Sequence, residues 1–395
     1  MRTPKSSFSE VTAILPLASV DRVLDTALAP DGSAAMVWQA RTTLLGEHWW
    51  QRFLPPISPA KSILQFIVPS NEAPSLVSTV VEKARLHQQA TGAVFSTACD
   101  ELAVGEDTAL WPELPEDTTS VGAHELTENL NVILCTVGHH LSARVSKAAI
   151  EAGAHGPVVY YAEGRGLRDR LGWLRITKVH EKEVLMVIAE EDSADRIFDA
   201  MAKAGELHLP GRGFMYRMIL DRGLFHLASR VSSNVYRANM QQIIHAIDHL
   251  NGHTHWRDQG LHGVGNSGLA VGIENVTMRQ PTLFGQKRLS VIVPREQAEM
   301  VMDILLDAGA PGLSVTYGQM MRNTTDGERD HRERALLHCV TNETVAKSVA
   351  AAVPTRAKEA GIMDIVLFEQ RIPSVACYIP GKKDYRARSG VPEGA

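Results

Sequence analysis

Apolar residues recur along this chain with two spacings, period two over short runs and close to 3.6 over longer ones, and their order is the first structural signal. Residues 11–17, VTAILPL, predict a strand. Ser19 follows as a helix cap, with Val20, Val23, Leu24 and Leu28 spaced to share one helical face. Residues 34–40 and 62–68 predict two more strands, 73–89 a second helix and 93–99 a closing strand. Between them, LLGEHWWQRFLPPISP at 44–59 carries three prolines and breaks regular structure.

The order strand, helix, strand, strand, helix, strand then recurs. NVILCTV at 131–137 opens a second unit, with a helix at 141–152 ended by Gly153, a strand at 158–162, and the loop EGRGLRDRLGWL at 163–174. EVLMVIA at 183–189 and a helix at 193–204 lead into GELHLPGRGFMYRMILDRGL at 205–224. There a turn through Pro210, Gly211 and Gly213 opens a strand at 214–220. A third unit runs through strands at 289–293, 313–318, 335–340 and 362–369, with helices at 296–308 and 343–360 and a charged loop at 320–334. AAIEAGAHGPVVYYA (148–162) matches DILLDAGAPGLSVTYG (303–318) in helix end, Ala-Gly-Ala, glycine and apolar strand. The first unit shares the element order and a looser match of GAVFSTACDELAVG (92–105) with GRGFMYRMILDRGL (211–224).

The expected organisation is therefore a divergent repeat at 10–105, an acidic, proline-bearing linker at 106–129, a repeat at 130–224, an insert at 225–286, a divergent repeat at 287–381 and a flexible tail at 382–395. The insert joins a helical pattern (Val235, Met240, Ile243, Ile244, Ile247, Leu250) to the loop NGHTHWRDQGLHGVGNSG.

Composition narrows the functional classes. With 395 residues, 44% of them hydrophobic and 22% charged, the chain is long and apolar enough for a sizeable core. A net charge of −5 and a pI near 6.4 argue against a nucleic-acid partner or an anionic membrane surface. No apolar run reaches the ~20 residues of a membrane span and the first residues lack a signal-peptide core, so the expectation is a cytoplasmic protein, not an integral membrane one. Cys99, Cys135, Cys339 and Cys377 are far apart and form no CxxC pair, which predicts buried free thiols.

The stretch 132–224, with its helix end EAGAHG, the short loop AEGRGL, the turn GRGF and the ending FMYRMILDRGL, resembles the PII nitrogen-regulatory signalling proteins, most of all their small PII-like members. The resemblance covers about ninety residues well, the third unit in its first half, and the first unit by element order alone. It implies an α+β fold of tandem ferredoxin-like βαββαβ repeats arranged as a pseudo-trimer, since such proteins are trimers with clefts between subunits. It further implies a regulatory or sensor function, in which a small anionic metabolite or adenine nucleotide binds an inter-repeat cleft and loop ordering changes contact with a target protein. Homo-oligomers are within its scope. Carried over by position, the ligand-binding residues are Gly211, Arg212 and Gly213 in one turn and Gly164, Arg165 and Gly166 facing the same cleft. Successive glycine amides form an anion-binding concavity and arginine recognises phosphate bidentately. A glycine turn with a solvated arginine is the plainer alternative. The sequence departs from the nitrogen-regulatory members in lacking the exposed tyrosine modification site, and the turns HQQATGAV and RAKEAGIMD lack the basic Gly-x-Gly pattern. Three equal nucleotide sites are not expected.

Histidines support a competing reading, a metal-dependent enzyme. His245 and His249 are spaced i, i+4, and with His253 or His255 they form a candidate zinc or other transition-metal site. The arrangement is not HExxH, because the glutamate is absent and HAIDH carries Asp248 at the wrong position for that general base, and solvated histidines at a helix end are the alternative. His139 and His140 read as helix-entry contacts, and His180 and Glu181 as a solvated strand edge. No GxSxG, GxxxxGK[ST] or strand-borne GxGxxG occurs, Cys135 falls in a packed strand, and Trp49, Trp50 and Phe53 predict core or interface.

Overall fold

Long runs of Val, Ile and Leu with few charges build strands buried on both faces, and this chain has many of them. The computed structural model describes residues 7–28, 34–43, 58–87, 92–106, 108, 126–166, 180–227, 282–324, 326 and 328–379. These belong to one compact unit. In order, the elements are β1 (Phe8–Pro16), α1 (Leu17–Ala27), β2 (Ala34–Thr42), β3 (Ala60–Pro69), α2 (Ala73–Lys83), β4 (Ala93–Cys99) and β5 (Glu101–Val104). Next come β6 (Leu130–Gly138), α3 (His139–Glu151), β7 (His155–Gly166), β8 (His180–Glu190), α4 (Glu191–Ala204), β9 (Gly213–Leu220) and β10 (Arg222–Phe225). The last are β11 (Thr282–Pro294), a 3-10 turn, α5 (Ala298–Asp307), β12 (Gly312–Asn323), β13 (Arg329–Asn342), α6 (Glu343–Glu359) and β14 (Val366–Cys377).

All fourteen strands join one antiparallel sheet, ordered β10-β4-β1-β3-β2-β12-β13-β11-β14-β9-β6-β8-β7, with β5 on β14. The far edge returns on itself: β7 pairs β2 through Arg41↔Val159 and Thr42↔Val158, and β12 through Gly312↔Gly166 to Val315↔Glu163. The run from β2 through β12, β13, β11, β14, β9, β6 and β8 to β7 thereby closes into a nine-strand barrel. This corrects the expected fold class of tandem ferredoxin-like βαββαβ repeats in a pseudo-trimer. The architecture is a closed antiparallel barrel within one large sheet, mostly strand, with six α-helices among the described residues. The physical reason is edge pairing: β2, β7 and β12 present backbone groups beyond their local partners, and pairing them with one another leaves no open edge at the closure.

Helices cover the outer face. Along β6, Leu130, Val132 and Leu134 enter the barrel interior, while Ile133, Cys135 and Val137 pack with α3 and α4 through Leu141, Val145, Ile197 and Met201. Alternate residues of one strand thus serve two cores, each fully buried aliphatic contributing about 1.5–3 kcal/mol. Two further outer cores lie under α1 with α2 and under α5 with α6. The interior also holds a buried polar centre. Arg288 of β11 binds Glu10 of β1 and Gln370 of β14, and Gln65 of β3 donates to Glu10 at 2.7 Å. Burial acts to lower the Arg288 pKa, but Glu10 and the neighbouring Tyr216 and Tyr160 outweigh it and raise the value, so the guanidinium stays charged.

Candidate functional site

At one mouth of the barrel the ends of β6 and β7 and the starts of β8 and β9 face β11, the start of β12 and the end of β13 across a cavity of about 800 Å³. Its size and largely apolar wall, with Phe214, Leu283, Leu313, Val340, Val345 and Val375, are those of a small-molecule site. The polar groups are few: Thr136, Arg165, Lys182, Gln286, Ser314, Thr341 and Asn342.

Local folding explains their placement. In β8 the residues Val184, Met186 and Ile188 point into the barrel, so the period of two aims Lys182 the same way, at the strand's open end. Burial lowers the Lys182 pKa, and no acidic partner pairs with it among the described residues. Arg165, part-buried, has Nη2 3.8 Å from both Glu163 and Glu299, and its Nε has no partner. Both contacts are loose, well beyond hydrogen-bond distance. The first turn of the 17-residue helix α6 also lines the cavity, through Asn342 and Val345. Asn342 caps it by accepting from the Val345 amide at 2.9 Å, and the helix end carries a partial positive charge.

Of the residues singled out in the sequence, Gly164, Arg165 and Gly213 meet on the cavity wall. Gly213 has φ +140°, and a Cβ there would stand 2.0 Å from the Thr136 carbonyl oxygen, so the close approach of β9 to β6 requires glycine. Gly166 sits in the β7–β12 ladder opposite Gly312. Gly211 and Arg212 lie in the turn before β9 and are not on the wall; Arg212 Nη2 is 3.1 Å from Glu206, which also holds Arg144 at 3.0 Å. His245, His249, His253 and His255 lie outside the described residues, as do Trp49, Trp50 and Phe53. Among the described residues no group of three or more His, Cys, Asp or Glu side chains is placed to hold a metal ion. Cys135 is fully buried, which pushes its thiol up to about 12.

Sequence reasoning missed Lys182 and the α6 terminus. The inward alternation Val184, Met186, Ile188 was the available signal for Lys182, and Asn342 followed by Glu343 that for a cap.

No protein-family model matches the chain, and no curated protein matches it. Among solved structures, Arabidopsis thaliana PII bound to citrate aligns at 14% identity over 24% of this chain and 79% of that one, with a TM-score of 0.20. A microcompartment protein from Desulfitobacterium hafniense DCB aligns at 10% identity over 62% of this chain and 94% of that one, with a TM-score of 0.17. Likenesses this low carry no argument about fold or function.

Proposed function

We propose that the protein is a regulatory, ligand-sensing protein that takes a small anionic metabolite, adenine nucleotides included, into the cavity at the barrel mouth. The observation that supports this reading is that a half-buried Lys182, which has no acidic partner among the described residues, and Arg165 line one cavity of about 800 Å³ that the first turn of α6 also lines. In a part-buried site the effective dielectric is low, so two cations and a helix terminus attract an anion more strongly than they would in water. Gly164 and Gly213 leave backbone close to the ligand, and the apolar wall takes its uncharged part. Arg212, held by Glu206, has the lesser part.

Thermal-shift measurements with ATP, ADP, AMP, cyclic nucleotides and bicarbonate test the reading. A ligand present at about 100 times its Kd stabilises the folded chain by about 2.7 kcal/mol. No stabilisation by any of them would remove the proposal.

A further inference from the structure

A second group of reactive side chains contributes nothing to the cavity wall. His139, the first residue of α3, has Nδ1 2.9 Å from Oε1 of Glu183, and Arg41 of β2 reaches the same oxygen with Nη2 at 2.7 Å. The Glu183 side chain is 0% exposed, whereas that of His139 is 59% exposed. The Tyr161 ring stacks on the imidazole, with centroids 6.2 Å apart and planes at 21°, and the Arg41 guanidinium lies 5.5 Å from the Tyr161 centroid. Tyr161 is itself among the exposed large side chains.

The chemistry follows from the charge of Glu183. Burial pushes its carboxyl up, but hydrogen bonds from Ser142, Arg41 and His139 together outweigh burial and hold it below the usual range. Glu183 is therefore ionised at neutral pH, and an ionised carboxylate only accepts hydrogen bonds. The proton must then sit on Nδ1 of His139, so the neutral ring carries its lone pair on Nε2, the nitrogen turned away from Glu183. A buried carboxylate fixing the tautomer of an exposed imidazole is the arrangement of a base or nucleophile with its orienting partner. A helix-entry contact accounts for Glu183 meeting the start of α3. It does not account for an imidazole and a tyrosine ring left exposed side by side.

The surroundings choose among electrophiles. Among the described residues, Arg41 is committed to Glu183 and is not free for a phosphoryl dianion, and no second and third ligand accompany His139 for a metal. A neutral electrophile with a flat apolar portion matches the exposed part of the Tyr161 ring. We propose that His139, positioned by Glu183, is the nucleophile of a surface site that takes activated aryl esters. Nε2 attacks the carbonyl carbon, and the bond to the aryloxide breaks with its electron pair leaving on oxygen. The acyl-imidazolium keeps its Nδ1 proton, which stays hydrogen-bonded to the Glu183 carboxylate, and the aryloxide later takes the proton that the attacking water gives up. Water then attacks the acyl carbon, releasing the carboxylic acid and restoring the neutral imidazole, so that one ester and one water give one acid and one phenol.

The test uses the full chain with p-nitrophenyl acetate, following p-nitrophenol release in wild type, His139→Gln and Glu183→Gln. Ring-nitrogen NMR correlations report the His139 tautomer. The other histidines contribute equal background to all three proteins. The expected results are an Nδ1–H tautomer, release about tenfold slower in both variants as for loss of an orienting partner, and a changed tautomer ratio in Glu183→Gln. His139 is at the surface, so its variant keeps the fold even where the buried Glu183→Gln does not. Release within twofold of wild type in folded His139→Gln, or an Nε2–H tautomer in the wild type, overturns the proposal.

Discussion

At the residue scale, the strongest constraints are positions where a side chain has little alternative. Gly213→Ala places a Cβ against the Thr136 carbonyl at a φ of +140°. We expect a loss of at least about 1–3 kcal/mol, read as a lower denaturant midpoint. Gly211, with nothing within 4 Å of where a Cβ would stand, accepts alanine at the cost of its φ of +77° alone. Lys182 makes the opposite kind of prediction. The folded site disfavours its charge, so its folded pKa lies below the ordinary 10.5 and protonation favours the unfolded chain. The penalty is full below the folded pKa and disappears as pH rises from there through 10.5. Lys182→Gln should therefore stabilise the unliganded protein at neutral pH, with the advantage shrinking in alkaline melts. A variant less stable than wild type at pH 7 would contradict this.

At the element scale, helices and central strands were legible because their apolar period is strong. The strand expected at 131–137 is β6, the helix at 193–204 is α4, and that at 343–360 is α6. The ends were not legible. The charged stretch 320–334, expected as a loop, extends β12 to Asn323 and starts β13 at Arg329. There β12 pairs β2 from Gln319↔Val37 to Arg322↔Ala34, and Arg329 reaches Asp21 and Asp25 of α1. Polar residues are kept in strands by partners hundreds of positions away, which no local pattern reports. The short strands β5 and β10 escaped notice for the same reason, being formed by pairing with β14 and β4. The cap of α6 gives a test at this scale: Asn342→Ala removes the bond to the Val345 amide and should cost about 1 kcal/mol of stability. Because Asn342 also lines the cavity, ligand affinity should fall with it.

At the scale of the whole molecule, closure of the sheet is what the sequence hid. Each local group of strands reads the same whether its outer strands stay open or join the next group, and β2–β7 closure rests on two residue pairs. Half of the cavity wall was visible, as Gly164, Arg165 and Gly213. The other half, on β12, β13 and α6, depends on that closure. The buried Glu10–Arg288 pair joins β1 to β11 across the interior. Glu10→Gln leaves Arg288 uncompensated and should cost about 3–5 kcal/mol, whereas replacing both with methionine should cost far less. Equal losses in the single and double variants would show that the pair is not the source of the effect.

The central claim is that this closed sheet builds an anion site at Lys182 and Arg165. Isothermal titration calorimetry of ATP and ADP into wild type and Lys182→Gln tests it most directly. The prediction is saturable binding at one site per chain, weakened about tenfold in the variant, as for loss of one charged hydrogen bond. Binding of equal strength in both proteins, or heat from neither nucleotide, would contradict it.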